Sequence, residues 1–73
     1  MKTIKQQTIY IVSIDTVSRP GQLFRDSYEY QVVASNVREA RRIGVMAGVS
    51  EGDFYKHQII SSDVQERDTI WSA

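Results

Sequence analysis

The stretch TIYIVSID, residues 8–15, constrains this chain more than any other. β-Branched and aromatic side chains crowd it, and these fit a pleated, half-buried surface, so it predicts a strand. Successive residues of a strand point to opposite faces. Tyr10, Val12 and Ile14 therefore share one face, and Ile9, Ile11 and Ser13 share the other. Apolar residues on both faces predict either a central strand or an edge strand covered by a partner. The chain has 73 residues, and a chain of that size buries only about 60% of the surface its unfolded form exposes. Such a strand has to organise one small core, so a single domain over residues 1–73 is expected.

The remaining segments arrange themselves around it. Pro20-Gly21 marks a reversal, because proline presets its own φ and glycine permits positive φ. Residues 26–35, DSYEYQVVAS, predict a second strand, with Tyr28, Tyr30, Val32 and Ala34 on its more apolar face. Leu23 and Phe24 would extend that strand or anchor the loop before it. Asn36 is a good helix N-cap, with Glu39 three residues later as in a capping box. At 100° per residue, Val37, Ala40, Ile43, Gly44 and Ala47 form a stripe that should lie on the sheet, and Gly48 suits the C′ position that ends the helix. Leucine at Gly44 is expected to cost about 1 to 3 kcal/mol through overpacking, whereas alanine there is expected to be neutral or stabilising. Residues 54–61 predict a third strand, SDVQERD a polar turn, and TIWS a short fourth strand. The fold class expected is α+β: a β-β-α-β-β chain forming an antiparallel sheet of three to four strands with one helix on one face.

Composition excludes several chemistries. The chain has no cysteine, which removes disulfides and thiolate metal sites and makes a reducing, cytoplasmic environment natural. One histidine, His57, rules out a His-pair metal site, and no acidic loop has EF-hand spacing. No Ser-His-Asp spacing, Gly-rich phosphate loop or second histidine accompanies His57, so no enzymatic activity, cofactor or metal is expected. No targeting or membrane segment is visible. The formal net charge is zero, yet residues 1–25 carry +3 (four cations against Asp15) and residues 49–73 carry −3 (five carboxylates against Lys56 and Arg67). That dipolar spread suits a partner of mixed charge better than bare nucleic acid, whose binders carry a basic excess.

Two features remain as candidate binding surfaces. Arg38, Arg41 and Arg42 fall on the helix face opposite the apolar stripe and surround Val45. They form a solvated face, or a guanidinium patch with an apolar centre that reads carboxylates, phosphates or aromatic faces. Arg19, Arg25 and Lys56, in the loops, form the alternative location for such contacts. The aromatics Tyr10, Tyr28, Tyr30, Phe54, Tyr55 and Trp71 lie mostly in predicted strands and either pack the core or offer stacking platforms to single-stranded nucleic acid.

The order YIVSID, a reversal, YQVVASNVREARRIGV, then a strand and a late tryptophan resembles small phage-type proteins, in particular the single-helix, antiparallel-sheet members of the type I-F anti-CRISPR proteins. The resemblance spans most of the chain and rests on a pattern rather than on individual functional residues. It implies a non-enzymatic inhibitor, monomeric or homodimeric, acting in the cytoplasm of a bacterial host by occupying a CRISPR-guided surveillance complex of protein and RNA. The residues alone imply a binding module for a protein or protein–RNA partner, with direct nucleic-acid binding through the helix arginines or strand aromatics as the alternative.

Overall fold

The computed structural model describes residues 5–18 and 25–72, with side chains described for residues 7–18 and 25–69. Arg19, the Pro20-Gly21 reversal, Leu23 and Phe24 lie outside the described residues. The elements are β1 (Lys5–Thr16), β2 (Asp26–Ala34), α1 (Val37–Ser50), a single 3-10 turn (Lys56–Gln58) and β3 (Ile59–Ser72). They form an α+β unit: a three-stranded sheet in the order β2-β1-β3, with the helix on one face. Both neighbours run antiparallel to β1. Of the two alternatives for residues 8–15, the central strand is the one found.

The even-numbered residues of β1 face the helix. Thr8, Tyr10, Val12, Ile14 and Thr16 are all buried, while Ile9, Ile11, Ser13 and Asp15 are half-buried on the open face. The register carries this alternation across the sheet, because Val12 pairs with Tyr30 on one side and Val64 on the other. The core is Tyr10, Val12, Ile14, Val32, Ala34, Ala40 and Phe54, with Tyr28, Tyr30, Ile43, Val45, Ile59 and Val64 packed around it.

The C-terminal part departs from the expected pattern. SDVQERD is no turn and TIWS is no separate fourth strand: both belong to β3, which pairs with β1 from Lys5↔Ser72 to Thr16↔Ile59. β1 has 12 residues, longer than its apolar run, and its backbone groups need partners along that whole length. The polar side chains of residues 62–68 sit on an edge strand, where water reaches them. Irregularities in the register between Ile9/Tyr10 and Asp15/Thr16 let the strands stay paired with Arg67 and Ile60 as the extra residues.

The third strand begins at Ile59 instead of residue 54, for a local reason. α1 continues through the expected stop at Gly48 and ends with a C-cap at Glu51. Gly52, at φ 78°, takes the left-handed position. Its N–H donates to the Val49 carbonyl (3.1 Å), and the Asp53 N–H donates to the Gly48 carbonyl (2.9 Å), the two bonds of a Schellman motif. The Tyr55 N–H then donates to Gln58 Oε1 (2.7 Å). These bonds use backbone donors that a strand would offer to a neighbour, and the chain turns Phe54 inward before pairing can begin. At the other end Asn36 caps as expected, its Oδ1 accepting from the Glu39 N–H at 2.8 Å.

The helix meets the sheet along Ala40, Gly44 and Gly48, which are buried at i, i+4, i+8 spacing. Val37, placed in the stripe by periodicity, is 47% exposed, because it sits in the first turn beside the exposed Ser35 and Asn36. Phe54 packs under the last turns, with ring centroids 5.4 Å from Tyr28 and 6.4 Å from Tyr30. Both tyrosine hydroxyls donate to Asp53, Tyr30 to Oδ2 (2.6 Å) and Tyr28 to the carbonyl (3.1 Å). Burial, then the Asp53 hydrogen bond and charge, push the Tyr30 phenol above its ordinary range. Tyr10, Tyr28, Tyr30 and Phe54 are therefore core, while Tyr55 lies outside it and the Trp71 side chain lies outside the described ones.

Alanine at Gly44 is no longer expected to be neutral. Its Cβ would lie 2.7 Å from Val12 Cγ1 and 2.8 Å from Val12 Cβ, on the central strand where neither side can easily give. At Gly48 a Cβ would lie 2.2 Å from the Phe54 ring and 2.7 Å from the Tyr30 hydroxyl. Gly44→Ala and Gly48→Ala are each predicted to destabilise by about 1 to 3 kcal/mol through overpacking, after offsetting the gain of about 1 kcal/mol in helix propensity. Urea unfolding followed by circular dichroism measures this, and a more stable Gly44→Ala would refute the close approach.

Candidate functional site

The outward face of α1 holds a groove open to solvent, of about 580 Å³. Four cations line it: Arg38, Arg41, Arg42 and Lys56. Its apolar lining is Val45, Met46 and Val49, with Ser50 at the end, and among the described residues no carboxylate lines it. Val45 is half-buried, with one side against the core. Met46 is 57% and Val49 42% exposed, high values for unbranched and branched aliphatics on a short helix.

Most of the expected site residues converge here. Arg38, Arg41, Arg42 and Val45 share the groove because steps of about 100° per residue gather them on one arc of the helix, beside the buried row of Ala40, Gly44 and Gly48. Lys56 joins them from outside the helix, brought back by the glycine turn and the 3-10 turn that follow it. Arg25 does not join. It is exposed just before β2, where its charge acts on Asp15. Arg19 lies outside the described residues. Sequence reasoning missed Met46, Val49 and Ser50, although the signal was present. Once the helix is carried to Ser50, the same wheel puts Val49 beside Val45; taking Gly48 as the stop removed it.

The open face of the sheet has the opposite character. By register, Ser13 is flanked by Glu29 on β2 and Asp63 on β3, and Ile9 by Val33 and Asp68. Ile9 and Ile11 are half-buried and Val33 is 45% exposed, which leaves a short aliphatic strip among carboxylates. Arg67 donates to Gln31 Oε1 across the strip. Asp15 ties all three strands together, with Oδ1 accepting from Ser27 Oγ at 2.7 Å and Oδ2 from Ser61 Oγ at 3.0 Å. The Ser27 bond first, then the Ser61 bond, with help from the Arg25 charge, holds this carboxyl below the ordinary aspartate value of 3.8. The groove lining is thus basic and the centre of the open sheet face acidic.

The remaining polar chemistry is sparse. His57 is exposed and stacks on Tyr55, with ring centroids 5.7 Å apart and planes 8° from parallel. Among the described residues no three His, Cys, Asp or Glu side chains converge to hold a metal ion. No described helix is long and apolar enough to cross a membrane. Comparison of the chain with protein-family models, curated proteins and solved structures finds no match.

The Asp15 contacts generate a pH prediction. A carboxyl whose folded pKa lies below its unfolded value stabilises the fold above the unfolded value, about 3.9, and that stabilisation is lost as pH falls through the folded value. Asp15→Ala is therefore predicted to be less stable than wild type near neutral pH. The difference should shrink as the pH drops below about 3.8, as measured by urea midpoints across a pH series. A gap of constant size down to the acid limit would show that the ionised carboxylate contributes nothing.

Proposed function

We propose that this protein is a non-enzymatic binding module whose helix face occupies an acidic, apolar-tipped surface of a protein partner. One observation carries the reading: four cations and three aliphatic side chains line one groove, with no carboxylate among the described residues that line it. A merely solvated face would have little use for exposed Met46 and Val49 beside its arginines. Guanidinium forks pair with carboxylates in fixed geometry, and a desolvated apolar centre supplies affinity that rim charges alone do not. The cations speed encounter with an acidic surface and reject basic ones. An aliphatic floor suits protein side chains better than bases, which stack on aromatic planes.

The resemblance to type I-F anti-CRISPR proteins gives this reading its most particular form. The module is then a phage-encoded inhibitor, and the surface it occupies belongs to an RNA-guided surveillance complex in the bacterial cytoplasm. That form rests on the strand-strand-helix-strand pattern alone. A second reading, direct binding of single-stranded nucleic acid, is favoured by the exposed Tyr55–His57 stack on either side of the groove residue Lys56.

The charge-reversed variant Arg38→Glu/Arg42→Glu separates folding from binding. Both side chains are exposed, so each change is predicted to alter stability by no more than about 0.5 kcal/mol. Capture of the partner from a bacterial host lysate is predicted to fall by more than tenfold, since reversal costs on the order of 2 kcal/mol or more per close charge pair. Capture that survives nuclease supports a protein partner. Loss with nuclease, together with a steep log-linear salt dependence, supports nucleic acid. Full capture by the double variant would sink the assignment of the groove.

A further inference from the structure

We infer that the groove on α1 also receives the open sheet face of a second copy of this chain, so that copies stack head to tail. The inference rests on the reading of the groove as a site for an acidic, apolar-tipped surface, and it names one such surface on the molecule itself. Three properties of the two faces match. The groove carries Arg38, Arg41, Arg42 and Lys56, a charge of +4; among the described residues the sheet face carries Asp15, Glu29, Asp63 and Asp68 against Arg67 and, at the Asp15 end, Arg25, a charge of −2. Each has an aliphatic centre: Val45, Met46 and Val49 on the helix, and Ile9, Ile11 and Val33 on the sheet. Their lengths agree as well. Ile9 to Asp15 spans six strand steps of ~3.4 Å, about 20 Å, and Arg38 to Val49 spans eleven helical steps of ~1.5 Å, about 17 Å.

The same charges decide the mode of association. A two-fold contact of sheet face on sheet face would set carboxylates against carboxylates, and a contact of groove on groove would set arginines against arginines; both are repulsive. Only a heterologous contact, groove to sheet face, pairs opposite signs. The zero formal net charge means that no long-range repulsion keeps copies apart. A stack of any length keeps one free groove at one end and one free sheet face at the other, so the contact propagates unless its rotation closes a ring. Inside a stack the groove is covered, and a protein partner has to displace the neighbouring copy.

Sedimentation velocity on the intact chain tests this, at about 20 mM and about 500 mM salt, where screening shortens from roughly 20 Å to a few Å. The mean sedimentation coefficient is expected to rise with protein concentration at low salt and to return to the monomer value at high salt. Two variants, each checked for folding by circular dichroism, abolish one face apiece: Arg38→Glu/Arg42→Glu on the groove and Glu29→Lys/Asp63→Lys on the sheet. Asp68→Lys supplies an independent change on the sheet should the second variant fold poorly. Each variant alone is expected to be monomeric. Mixed in equal amounts they are expected to associate again, because the intact groove of one variant then meets the intact sheet face of the other. A wild-type chain that stays monomeric at low salt and millimolar concentration overturns the inference, as does association that only one of the two variants abolishes. A monomeric wild type whose partner capture still needs the arginines overturns the stacking and leaves the proposed function standing. Stacking with arginine-independent capture does the reverse.

Discussion

The close approach of α1 to β1 is the contact on which the rest of the molecule depends. Gly44 lies so near Val12 that even a methyl group would overlap it. That approach lets a helix of only 14 residues cover the central strand, and helices of that length need such packing because they are marginal in water by themselves. The small residues at 40, 44 and 48 put no large side chain where the helix comes nearest the sheet, and Ile43 and Val45 pack around the edge of the core. The volume of the core comes from elsewhere: Tyr10, Val12, Ile14 and Val32 in the sheet, and Phe54 folded beneath the last helical turns. Phe54 reaches that position only because the glycine cap turns the chain back, so cap, aromatic and helix register are one arrangement.

This economy on the inner face has a consequence on the outer one. A helix that spends its small residues on the sheet is free to place its long side chains toward solvent. Arg38, Arg41 and Arg42 stand there beside Met46 and Val49, and the same cap that buries Phe54 delivers Lys56 to them. Among the described elements one α-helix covers the sheet on one side, and the other face carries Asp15, Glu29, Asp63 and Asp68. Asp15 lies among them, yet its hydrogen bonds to Ser27 and Ser61 bind the three strands to one another. Cohesion and surface charge are therefore joined at that residue. A thin two-layer domain with unlike faces can meet a partner by either side, and this is the physical ground for both the binding reading and the stacking inference.

The sequence by itself determined the parts of the structure that local stereochemistry governs. Alternation in residues 8–15 identified a strand and sorted its two faces, because a strand has a period of two whatever surrounds it; only the sheet order made it the central one. Asn36 identified the helix start, since its side chain satisfies a backbone donor three residues away. The helical period alone placed the three arginines and Val45 together. The tertiary structure decided everything that depended on a distant partner. Residues 62–68 look like a turn by composition, and they became strand because β1 presented unpaired backbone along its full length. Gly48 reads as a helix stop, and it lies inside the helix because Phe54 and Tyr30 need its missing side chain, while Gly52 supplies the positive φ. Lys56 entered the groove, and Glu29, Asp63 and Asp68 met on one face, through pairings that join residues far apart in the chain. Local steric and hydrogen-bonding preferences are written in a few consecutive residues, whereas strand partnership and close packing are settled only when the whole chain competes for the same backbone groups and the same small volume.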